Sequence, residues 1–126
     1  MGVTMTTAAR NAACNAVVDL LDAGAGAGYI EYQTSGGTEV ATLTMSDPAF
    51  GAAASGVATA SAVSDDTSAT GGTVAKAVFF DSDANEVFQC TVTASGGGGD
   101  IIVDNVAIGA GVTVSLSSFT FTIPAS

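Results

Sequence analysis

At Gly24 the hydrophobic period of the chain changes, and that change is the strongest constraint on what it can fold into. Before it, Ala9, Ala13, Ala16, Val17 and Leu20 recur at helical spacing, with Arg10, Asn11, Asn15, Asp19 and Asp22 on the other face. Thr6 and Thr7 offer N-cap hydroxyls, so the spacing predicts one amphipathic helix over 7–23. Gly24 is expected to end it in the left-handed conformation common after a helix C-terminus. Beyond the glycines the period is 2: "YIEYQT" and "EVATLTM" alternate on either side of "SGG", which predicts a hairpin.

The alternation persists to the end. "GVATASAV" gives a strand with a smooth face of Ala58, Ala60 and Ala62, suited to close packing by something else. "TVAKAVFFD" and "EVFQCTVT" flank the polar "SDAN" as a second hairpin, followed by "SGGGG" and a short "DIIVD" strand. Val112, Val114 and Leu116 alternate on even positions, then Phe119, Phe121 and Ile123 on odd ones. A bulge, or a strand leaving one sheet for another, produces that change of parity. The expected fold is mainly β: an antiparallel β-sandwich with one N-terminal α-helix, a jelly roll or small barrel being the alternatives. The chain reads as one domain over 1–126, with a glycine hinge at 24–28 and the sandwich over 29–126. The expected core is Val17, Leu20, Ile30, Leu43, Val78, Phe80, Phe88, Val92, Ile102, Val114, Phe119 and Phe121.

Gly24, Gly26 and Gly28 are not arranged as a phosphate loop. Such a loop follows a strand and opens a helix, whereas these follow a helix C-terminus, where the dipole is negative, and Asp22 and Glu31 flank them. They read as a hinge.

Composition narrows the partners. Twelve acidic residues against Arg10 and Lys76 give a net charge of −10, which leaves almost nothing to neutralise phosphates, so nucleic acid and anionic membrane are not expected partners. No apolar run has the length of a membrane span, and "MGVTMTTAAR" lacks the order of a signal peptide, so synthesis in the cytoplasm is expected. "MGVT" with Thr6 matches a myristoylation start formally, as short motifs do by chance. Although 48% of residues are apolar, 24 residues are alanine and only 29 are Val, Ile, Leu or Phe. A core that thin gains from burial against other copies or another protein.

Residues able to carry chemistry are few, and no cofactor is expected. Asp81, Asp83 and Asn85 alternate like the start of a calcium loop, but Glu86 stands where the turn needs glycine and Val92 where a bidentate glutamate belongs. A polar hairpin turn is the simpler reading. Asp65 and Asp66 lie in "SDDTSATGG" and read as a solvated loop, not a catalytic pair. Lys76, within an apolar strand, is expected to carry its amine to water. Cys14 and Cys90 read as two small buried thiols, with a disulfide as the alternative. No histidine is present, so acid–base work near neutral pH would fall to carboxylates, and no enzymatic activity is expected.

Three stretches, "LLDAGAGAGYIEYQT" (20–34), "ATLTMSDPAFG" (41–51) and "VFFDSDANEVFQCTV" (78–92), together resemble a family of short tailed-phage virion proteins that open on a helix of the "RNAACNAVVDLLDAG" kind. In that family the third motif usually has glycine after its second Asp, where this chain has Ala84. The resemblance implies a capsid cement or decoration protein bound in many copies to the exterior of the assembled head. Its partners would be the major capsid protein and other copies of itself, a trimer being favoured. Partner contacts are then expected on the helix and hinge, at Ala9, Ala13, Ala16, Leu20, Gly24, Gly26, Gly28, Tyr29 and Tyr32, and Ala58, Ala60 and Ala62 would suit close contact as well. The rival readings are a tail-tip or fibre module that binds a host receptor, and, third, a carboxylate-based glycan hydrolase.

Overall fold

Both expected hairpins form, and they lie side by side in one sheet. The computed structural model describes residues 2–125; Met1 of the opening "MGVT" and Ser126 lie outside the described residues. Helix α1 (Thr7–Asp19) is followed by β1 (Tyr29–Gln33), β2 (Glu39–Thr44), β3 (Val57–Thr59), β4 (Gly72–Thr73), β5 (Lys76–Phe80), β6 (Glu86–Ala94), β7 (Ile101–Val103), β8 (Ala107–Ile108) and β9 (Thr120–Thr122). The main sheet has the order β2-β1-β5-β6-β7, and β3-β9 and β4-β8 form two ribbons. The fold is mainly β, rich in antiparallel pairs and sandwich-like, with an N-terminal helix. One pair departs from expectation: β7 joins β6 in parallel, with Val92 opposite Ile101 and Ala94 opposite Val103.

Register decides which residues share a face. Leu43, Ile30, Phe79 and Phe88 lie in one cross-strand row, and Ala41, Tyr32, Ala77 and Cys90 in the next. β9 lies over this face: Phe119 packs 4.9 Å from Phe79 and Phe121 4.9 Å from Phe88, centroid to centroid. Aromatic pairs at such spacing add to the area they bury, and they compensate for a core otherwise rich in alanine. Cys14, Val18 and Leu21 bring the helix into the same cluster. The parity change before β9 is a change of neighbour. Val114 bridges Asp66, and the chain then leaves to pair Phe121 with Ala58.

Several expected core positions are corrected. Val17 is half-buried while Val18 is buried; Leu20 is 54% exposed while Leu21 is fully buried; Ile102 is 52% exposed while Ile101 is buried. Phe80 sits on the opposite face of the sheet from Phe79, half-buried and stacked on Tyr29 at 5.0 Å. Phe88 and Phe121 are partly buried, and Ile30, Leu43, Val78, Val92, Val114 and Phe119 are buried as expected. The helix also ends differently. It stops at Asp19 and tightens into a single 3-10 turn over Leu20–Asp22, capped by Ala23 with φ −69°, so Gly24 supplies no left-handed cap.

Candidate functional site

The helix is attached by the side that the sequence assigns to water. Thr6 Oγ1 accepts the Ala9 N–H at 3.1 Å and sets its start. Asn11 Oδ1 accepts the Gly56 N–H at 2.7 Å, Asn15 Oδ1 that of Ala53 at 2.8 Å, and Asp22 Oδ1 that of Ala49 at 2.9 Å. Arg10 donates through Nε to the Ile123 carbonyl and through Nη2 to that of Ser55. Segment 49–56 is mostly irregular, so its N–H groups need acceptors from outside a sheet ladder. The helix supplies them from residues about a turn apart, and of the five polar residues assigned to the solvent face only Asp19 is exposed.

That attachment turns Ala9, Ala16 and Leu20 outward; all three are exposed, and Ala13 is half-buried beside them. Of the other expected contacts, Gly24 and Gly26 are half-buried, as is Tyr29. Gly28 and Tyr32 are buried and are corrected: neither has surface to offer a partner. Tyr32 points into the core because its register partners there are Ala41 and Ala77, which leave room for a ring. Ala58 is corrected for a related reason. It is fully buried in strand β3, against which α1 packs, so its small side serves the chain's own helix.

The glycine run is a close-packed corner. A Cβ on Gly28 would strike the Phe80 carbonyl and stand 2.9 Å from that of Leu21, and one on Gly24 would strike Ser82. Ser82 Oγ in turn accepts the Gly26 N–H at 3.3 Å. The helix-to-sheet corner therefore rests on the 81–85 turn.

In that turn Asp81 is buried and fully engaged. Its carboxylate accepts the N–H groups of Asp83 and Asn85, both at 2.9 Å, and the Asn85 carboxamide at 3.1 Å. The bonds from Asn85 hold the Asp81 carboxyl below its ordinary pKa. Both Asp81 oxygens are thus engaged by the turn itself, and among the described residues no three His, Cys, Asp or Glu are grouped as metal ligands.

The expectation for Asp66 is corrected as well. Asp65 is exposed, but Asp66 closes the outer edge of β2: its Oδ2 accepts the Thr42 N–H at 2.8 Å and its Oδ1 that of Ser68 at 2.9 Å. An edge strand needs such cover. Lys76 is half-buried, opposite Gln33 and Thr91 in register. Both cysteines are free; Cys14 Sγ donates to the Phe121 carbonyl at 3.3 Å, and burial, with the Asp100 charge second, pushes the Cys90 thiol up to about 12.

Open clefts lie at two further places among the described residues. One, of about 580 Å³, lies between β6 and β9; the other, of about 480 Å³, has the exposed Ile102 and Val112 on its walls. Among the described residues no helix is long and apolar enough to cross a membrane. No family model matches the chain, and neither a curated protein nor a solved structure does.

Proposed function

We propose that this chain is a structural virion protein, a cement protein that binds the exterior of an assembled tailed-phage head and braces contacts between major capsid subunits. The observation that carries the reading is the orientation of the helix. Its polar side is spent on the protein's own backbone, which leaves Ala9, Ala16 and Leu20 as an outward stripe that a coat subunit can approach closely. The three stretches that resemble short virion proteins support it, and so does a core of small side chains that gains from external burial.

The protein acts by mass action: it binds the expanded shell and not the free coat subunit, so its binding free energy adds to the shell's resistance to bursting. Association of copies, with a trimer favoured, joins weak sites into one clamp and multiplies their effect. Quantitative mass spectrometry of virions tests the reading directly. A copy number comparable with the major coat protein is expected, and a handful of copies would move the protein to the tail tip and end the cement reading. Leu20→Glu is expected to abolish shell binding while leaving the melting temperature unchanged, because Leu20 packs little within the chain.

A further inference from the structure

The first half of β6 lacks a strand on its outer edge. On its inner edge the even-numbered residues bond to β5: Val92 N–H donates to the Ala75 carbonyl at 3.1 Å, with Cys90 opposite Ala77 and Phe88 opposite Phe79. Backbone groups of successive strand residues point to opposite sides. Gln89 and Thr91 therefore turn theirs outward. Thr91 N–H is taken by the Asp100 carboxylate at 3.1 Å, and β7 covers only Val92–Ala94. Gln89 is left facing the cleft of about 580 Å³.

The far wall of that cleft is β9, and the same parity applies there. Phe119 accepts from Ala60 N–H at 2.9 Å and Ile123 N–H donates to Gly56 at 2.8 Å, so the odd-numbered residues serve β3. Thr120 and Thr122 turn their N–H and C=O groups into the cleft. Two open strand edges thus line one cleft, together with the rings of Phe88 and Phe119, whose centroids lie 6.2 Å apart.

We propose that this cleft receives an extended, basic peptide segment of another protein, which adds as a strand and hydrogen-bonds to β6 and β9 together. Main-chain bonds would supply the affinity and the aromatic base the preference for apolar residues at alternate positions. Charge selects the occupant. Asp100 lines the cleft, Glu86 starts β6, and the walls carry no Lys or Arg. A strand of a second copy, whose chain carries −10, is disfavoured in this cleft whatever contacts copies make elsewhere, whereas a basic segment is drawn in. The proposal is independent of the virion reading.

The test tethers a segment of about nine residues, a usual strand length, to the C-terminus of the full chain through a flexible glycine-serine linker. Valine alternates with threonine in it, and the ends are lysine, or glutamate, or lysine with proline at every second position. Amide exchange at Gln89 and Thr120 is read by NMR. The lysine version should slow both amides by about tenfold or more, the glutamate version less, and the proline version not at all. Gln89→Pro removes a cleft-facing N–H and no bond to β5, so it should abolish the slowing at Thr120 while circular dichroism is unchanged. Equal exchange in all three versions overturns the proposal. So does protection already present in the untethered protein that falls on dilution, which would assign the cleft to a second copy.

Discussion

Arg10 Nε donates to the Ile123 carbonyl at 2.8 Å, joining the first turn of the helix to the residue that follows the last strand, across 113 positions of sequence. Its second bond, to the Ser55 carbonyl, fastens the same turn of the helix to the loop before β3. Arg10→Ala leaves two carbonyls without their charged donor and is expected to lower stability by about 1–3 kcal/mol. Asn15→Ala, which orphans the Ala53 N–H, should cost about 1–2 kcal/mol by the same reasoning. Urea unfolding measures both; no change in either would mean that apolar packing alone holds the helix.

Gly28→Ala and Gly26→Ala should differ sharply, although both lie in one glycine run. A methyl at 28 meets two carbonyl oxygens inside contact distance, an overpacking expected to cost about 1–3 kcal/mol or more. A methyl at 26 meets nothing within 4 Å and should stabilise by about 0.4–1 kcal/mol through the unfolded chain. Thermal melts of the pair read the contrast, and equal shifts would refute the close-packed corner.

Ala84 holds φ at +65°, the left-handed region that favours glycine. Ala84→Gly relieves about 1–2 kcal/mol of local strain and returns part of it as unfolded-state entropy. A small rise in melting temperature is expected, and a fall would show that the turn is not strained there.

The Tyr32 hydroxyl is buried without a hydrogen-bond partner, and burial, with the Cys90 thiol second, pushes its pKa from 10.0 up to about 12. Tyr32→Phe removes an orphaned polar group and should leave stability equal or higher by about 1 kcal/mol. A raised pKa means that the unfolded chain loses its proton first. The stability tied to it is present below pH 10 and lost as the pH rises toward about 12, so the variant should lose less over that range. A clear loss of stability at neutral pH would show that the hydroxyl is bonded.

Asp81 gives the opposite sign. Its depressed pKa means that its contribution is present above the ordinary value of 3.8 and lost as the pH falls below it. Melting temperatures of wild type and Asp81→Asn should converge on acidification, and a constant gap down to pH 3 would show that the carboxylate charge does not hold the turn.

Much of this molecule is legible in the order of its residues. Local periodicity identifies the helix, both hairpins and the parity change before β9, because element type follows from a repeat of 3.6 or 2 that needs no partner to be seen. The charge of −10 is likewise a property of the chain alone. What periodicity leaves open is phase. Val17–Val18, Leu20–Leu21, Phe79–Phe80 and Ile101–Ile102 are pairs of identical neighbours, and in each the sequence reading takes one while the structure buries the other more deeply. Two equal side chains in succession carry no information about which faces inward. That choice belongs to distant partners: the backbone donors of segment 49–56 rotate the helix onto Asn11 and Asn15, and the row through Ile30 and Phe88 selects Phe79. The parallel placement of β7 and the open edge between β6 and β9 are tertiary in the same sense, since a strand's sequence states its alternation and not its neighbour.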